Sequence, residues 1–102
     1  MRQHAEHSDQ PVAMQLRIQC TAEPGIIVAV AWEGRFMAPS QGWSTRFVQW
    51  ADLRGHLLNM VKIPRKTLDF AEKCFSVGYN FDIPITTHAS QLQKMGFQRQ
   101  TA

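Results

Sequence analysis

Side chains that ligate metals or transfer protons come first, because their spacing decides which chemistry a chain can perform. His4 and His7 flank Glu6 in a His-x-x-His spacing, which would place two ligands on one side of a helix. No further ligand cluster completes a four-coordinate site, so we predict no metal and no cofactor. The eight carboxylates are scattered, and the chain lacks a phosphate-binding loop and a dinucleotide fingerprint. We therefore expect no catalytic residue and no enzyme, with a small hydrolase or nuclease as the least favoured function.

Cations are the second group of side chains that could carry a function, and they collect towards the C-terminal end. Residues 1–61 carry equal numbers of cations and carboxylates, so the whole net charge of +3 belongs to residues 62–102. Cations at the junction of two predicted helices can contact a phosphate backbone, although a solvated helix face explains the same excess. Residues 87–95 predict the recognition helix of a helix-turn-helix-like pair. The candidate nucleic-acid-binding residues are Lys62, Arg65, Lys66, Gln91, Lys94 and Arg99.

Aromatic side chains form the third group. Three tryptophans and two phenylalanines crowd into residues 32–50. A small core accommodates only part of this set, and aromatic residues and arginine concentrate at protein interfaces. Packing around a hairpin is the expected use of most of them, whereas Trp43 lies in a predicted loop and is expected to be exposed. The candidate protein-binding residues are Arg35, Phe36, Trp43, Arg46 and Phe47.

Short β-rich runs position the aromatic group. Residues 15–21 alternate strictly between apolar and polar side chains, which predicts a strand with one buried face. Residues 26–31 are continuously apolar, as in a central strand, and residues 23–25 predict the turn between the two. Residues 35–38 predict a third strand that ends at Pro39. Residues 44–48 fit either a last strand or the first turn of a helix.

Helical periodicity begins at Trp50. Trp50, Leu53, Leu57 and Val61 recur at spacings of three and four, which predicts a helix with one apolar face. A second helix is predicted over residues 65–77, a short extended segment over 81–85, and a last short helix that ends at Gly96. The predicted fold is therefore α+β: a small antiparallel sheet of three to four strands covered by helices, with a helical C-terminal segment.

Length and composition bound the domain organisation. The 102 residues suffice for one domain, which we place at residues 12–102, with 62–102 as its basic helical part. Residues 1–11 are polar and predict a disordered leader rather than a signal peptide. No apolar run approaches the roughly 18 residues of a membrane span. We expect a cytoplasmic protein with free thiols at Cys20 and Cys74 and no membrane partner.

Residues 14–61 resemble the HicB-like antitoxin domains. Residues 25–31 stand in for the glycine-containing hairpin of that family, and residues 50–57 for the helix that follows it. The second acidic position and the asparagine of the family's helix pattern are absent here. The resemblance implies a small regulatory domain that binds a partner protein, often dimerises, and binds DNA through a C-terminal module. We therefore predict a non-enzymatic regulatory or inhibitory protein that acts by protein–protein contacts and forms a homodimer, with a DNA-binding regulator as the alternative.

Overall fold

An antiparallel sheet of five strands organises the part of the molecule that the structure describes. The computed structural model describes residues 10–20, 26–61 and 63–100. The spatial order of the strands is β4-β1-β2-β3-β5. In chain order the strands are β1 (Val12–Cys20), β2 (Ile27–Trp32), β3 (Trp43–Phe47), β4 (Phe81–Thr87) and β5 (Gln98–Arg99). The α+β class is confirmed, but the prediction of three to four strands is wrong. The difference arises because the C-terminal part contributes two strands as well as helices.

In the described part of the chain, three α-helices accompany the sheet: α1 (Trp50–Met60), α2 (Arg65–Ser76) and α3 (Ala89–Lys94). The inward side chains of α1, Leu53 and Leu57, are fully buried, as their spacing predicts. Trp50 stacks on Phe75 of α2 with ring centroids 4.8 Å apart, so aromatic packing joins the first two helices. Among the residues that the structure describes, no helix has the length and apolar character needed to cross a membrane.

The strands present one face to the core and the other away from it. Leu16 and Ile18 of β1 are buried, while Gln15, Arg17 and Gln19 between them are only half-buried. This alternation continues in β4, where Asp82 and Pro84 are exposed. The buried residues of the three helices join the first face in one cluster. We call the second face of the sheet the open face.

The segment between β2 and β3 departs from the sequence prediction. Residues 35–38 do not form a strand: the backbone N–H groups of Phe36 and Met37 both donate to the carbonyl oxygen of Glu33, at 2.9 and 2.8 Å. A short 3-10 helix, Pro39–Gln41, follows this turn. The third strand is instead β3, which resolves the ambiguity over residues 44–48. A turn forms here because the N–H groups of Phe36 and Met37 are both used by the Glu33 carbonyl oxygen, and Pro39 has no N–H to pair with a neighbouring strand.

Several predicted features lie outside the described residues. They are the disordered leader apart from Gln10 and Pro11, the turn at residues 23–25, and the candidate ligands His4, Glu6 and His7. Lys62 also lies outside. In the described part of the chain, no group of three or more metal-ligating side chains occurs.

Candidate binding surfaces

The open face of the sheet carries a groove with a volume of about 560 Å³. Val28 and Val30 of β2 are half-buried and supply its apolar floor. Arg46 of β3 is exposed at its side and is the cation among the residues that line it. The remaining lining residues are Gln19, Ser44, Thr45, Gly96, Gln98 and Gln100. An aliphatic floor with amide walls and one guanidinium can accept a polypeptide segment with apolar and acidic side chains.

Arg17 covers another part of the open face, at Trp32. Its guanidinium lies 5.0 Å from the ring centroid of Trp32, which is only 7% exposed and is buried apart from the main core. The same guanidinium is hydrogen-bonded to Asp82 of β4, and that hydrogen bond raises the pKa of Arg17. Trp32 is therefore covered by a side chain of its own sheet, and the groove lies towards β3 and β5.

The predicted protein-binding residues fall into two sets. Arg35, Phe36 and Arg46 are exposed, and the phenylalanine is 76% exposed. Trp43 and Phe47 belong to the core, so the expectation that Trp43 is exposed is wrong. Trp43 is 8% exposed because it begins β3 on the buried face of the sheet.

Arg46 is the predicted residue that lines the groove. The other groove residues were missed by the sequence analysis. The alternation of β1 and β3 indicates which side chains leave the core, but not which strands lie side by side.

The predicted nucleic-acid-binding residues are not brought together as one helix pair. Arg65 binds Asp69 at 3.4 Å within α2, where Lys66 is exposed. The guanidinium of Arg99 lies 5.3 Å from the ring centroid of Trp43. Arg99 belongs to β5 at one edge of the sheet, whereas α2 packs against β4 at the opposite edge.

The short helix α3 carries Gln91 and Lys94 between β4 and β5. The prediction of a helix-turn-helix-like pair at residues 87–95 is therefore wrong, because a strand precedes α3. The extended segment predicted over residues 81–85 is that strand, β4, and its place at the edge of the sheet tolerates Pro84.

A second concave site lies at the end of the sheet where β1 and β3 begin and β2 and β4 end. It is a cavity of about 270 Å³, and three of the residues that line it are Glu33, His88 and Arg99. His88 is the N-cap residue of α3, and its imidazole Nδ1 lies 2.9 Å from the hydroxyl of Ser90. These side chains come from distant parts of the chain, so no local motif reveals that they line one cavity. We call this site the sheet-end cavity.

Comparisons of the chain with models of protein families, with curated proteins and with solved structures found no match. The resemblance of residues 14–61 to HicB-like antitoxin domains therefore stays a prediction.

Proposed function

We propose that this protein is a small non-enzymatic regulatory or inhibitory protein that binds a partner protein through the groove on the open face. The groove is the observation that carries the proposal: it is a concavity with a volume of about 560 Å³ over a bare sheet, with Val28 and Val30 as its floor. A monomeric domain usually leaves polar side chains on a bare face, whereas an apolar floor gains free energy when a partner covers it.

The outer edge of β3 supports a polypeptide as the partner. β5 pairs with only Trp43 and Ser44 of β3 in the described register, which leaves Arg46 and Phe47 without a strand on that side. An extended segment can add to such an edge through main-chain hydrogen bonds, while its side chains enter the groove. Arg46 would select a carboxylate of that segment. A homodimer in the cytoplasm remains the expected assembly and compartment.

Binding of DNA is the alternative, and the placement of the cations supports it less. One edge of the sheet carries Arg65 and Lys66 on the neighbouring helix, and the other carries Arg99. A protein that follows a phosphate backbone gains most from cations along one continuous stripe. DNA binding predicts retention on heparin that weakens steeply with salt and is lost when Lys62, Arg65 and Lys66 are changed together to alanine.

A photo-crosslinking residue placed at Arg46 tests the proposal in lysate of the source organism. The matched control carries the same residue at Lys73, which is exposed on α2. We expect a discrete protein adduct from position 46 but not from position 73. The adduct should disappear when Val30→Lys fills the groove in a chain that keeps its circular dichroism spectrum. An identical adduct pattern from the two positions, or a nucleic-acid adduct alone, would contradict protein binding through the groove.

A further inference from the structure

The sheet-end cavity has the size of a small-molecule site and lies apart from the groove. Its walls come from the beginning of β1, the turn after β2, the beginning of β3, the β4–α3 junction and β5. Its volume of about 270 Å³ is slightly below the roughly 300–1,000 Å³ that is usual for drug-sized ligands. A nucleotide or a large cofactor is therefore too big, whereas a molecule of amino-acid size fits.

Two opposite charges line this cavity without neutralising each other. Glu33 and Arg99 are both lining residues, yet no ion pair between them is present in the described part of the chain. The guanidinium of Arg99 is instead held 5.3 Å from the centroid of the Trp43 ring. Arginine offers a fork of N–H donors that matches a carboxylate, and a glutamate accepts hydrogen bonds from an ammonium group. A zwitterion satisfies both charges at once, which an anion or a cation alone does not.

Apart from His88, whose imidazole lies against the hydroxyl of Ser90, the other walls are apolar. Met14, Met37 and Trp43 face the cavity, and methionine adapts to ligands of different shape. These side chains offer no partner to a charged or strongly polar ligand side chain. The remaining part of the ligand is thus expected to be aliphatic or aromatic.

An unsatisfied hydroxyl lies beside the cavity. Thr87 is 2% exposed, and its Oγ1 is a buried side-chain oxygen without a hydrogen-bond partner among the described residues. Thr87 is the register partner of Val12, which lines the cavity, and precedes His88, which also does. Buried polar groups without partners are rare in folded proteins. The Thr87 hydroxyl is thus a polar group at this end of the sheet that no contact within the described fold satisfies.

We infer that the sheet-end cavity binds a free apolar α-amino acid, with its carboxylate on Arg99, its ammonium group on Glu33 and its side chain against Met14, Met37 and Trp43. This site goes beyond the proposed partner binding, because neither Val30 nor Arg46 of the groove lines it. The protein would then bind a metabolite at one end of the sheet and a partner on the open face.

Titration calorimetry on the intact chain tests the inference with L-leucine and L-methionine as probes. L-Leucinamide lacks the carboxylate and N-acetyl-L-leucine lacks the ammonium group, so each should bind at least about tenfold more weakly than L-leucine. L-Aspartate should not bind. These comparisons need no variant, so they remain decisive even if a substitution at Arg99 disturbs Trp43.

Variants localise the site. Arg99→Gln and Glu33→Gln should each weaken L-leucine at least about tenfold, while Arg46→Gln in the groove should leave the affinity unchanged. Absence of saturable binding by both amino acids at millimolar concentration would overturn the inference. Equal affinity for L-leucine and its two analogues would overturn it as well. Crosslinking at position 46 is scored separately, so failure of the amino-acid site does not imply failure of partner binding.

Discussion

The guanidinium of Arg17 and the carboxylate of Asp82 form a two-point ion pair that joins β1 to β4. The Nε–Oδ1 distance is 2.8 Å and the Nη2–Oδ2 distance is 3.0 Å. The two residues are direct register partners, and the same guanidinium covers Trp32 of β2. Arg17 therefore connects three adjacent strands on the open face.

Replacing Asp82 and replacing Arg17 should lower the free energy of unfolding by different amounts. Both side chains are more than a third exposed, so Asp82→Asn should lower the free energy of unfolding by only about 0.5 kcal/mol. Arg17→Gln also uncovers Trp32 and should cost about 1 kcal/mol. Urea unfolding followed by tryptophan fluorescence measures both, with Lys73→Gln as a surface control. Equal losses would show that the contact with Trp32 adds nothing.

Adjacent leucines on α1 provide a matched test of the core. Leu57 is 1% exposed and Leu58 is 47% exposed. Leu57→Ala should lower the free energy of unfolding by about 3 kcal/mol, because it leaves a cavity between helix and sheet. Leu58→Ala should cost less than about 1 kcal/mol. Chemical denaturation of the two variants gives the comparison. Similar losses of unfolding free energy would show that the assignment of the apolar face of α1 is incorrect.

Two glycines should respond in opposite directions to alanine. A Cβ at Gly42 would overlap the carbonyl oxygen of Ala31 and lie 2.8 Å from the Cβ of Trp32. Gly42→Ala should therefore destabilise the fold by about 1–3 kcal/mol. A Cβ at Gly55, inside α1, meets nothing within 4 Å. Gly55→Ala should stabilise the protein by about 1 kcal/mol through higher helix propensity, which thermal unfolding would record as a higher midpoint.

Cys20 should react slowly with alkylating reagents. Burial raises the pKa of its thiol, so less of the reactive thiolate is present at neutral pH. Iodoacetamide should modify Cys20 more slowly in the folded chain than in urea, measured by mass spectrometry in a Cys74→Ser variant whose remaining thiol is Cys20. Equal rates would argue against burial of the thiol.

The same shift makes a stability prediction with a definite sign. The unfolded chain releases the Cys20 proton near the ordinary thiol pKa, and the folded chain releases it only at higher pH. Above the ordinary value the folded state holds more protons, so the free energy of unfolding falls as the pH rises. Cys20→Ser should remove this part of the alkaline loss. Urea unfolding below and above the ordinary thiol pKa compares the unfolding free energy of the variant with that of the parent chain.

Local periodicity was sufficient to predict the elements whose pattern is strong. The alternation around Leu16 and Ile18 predicted β1, and the spacing of Leu53 and Leu57 predicted α1. Such patterns can be read from sequence because one buried face imposes its own period, two for a strand and 3.6 for a helix. The α+β class follows from these elements.

The tertiary structure alone decided the partners of those elements. Strand β4 pairs with β1 across more than sixty residues, as the register of Arg17 and Asp82 shows, and β5 closes on β3. Trp43 is buried because the strand that carries it packs over the core, although its neighbours in sequence are typical of a loop. Glu33, His88 and Arg99 line one cavity for the same reason. Periodicity reports which face of a segment is buried, whereas contacts between distant segments depend on how all the buried faces pack together.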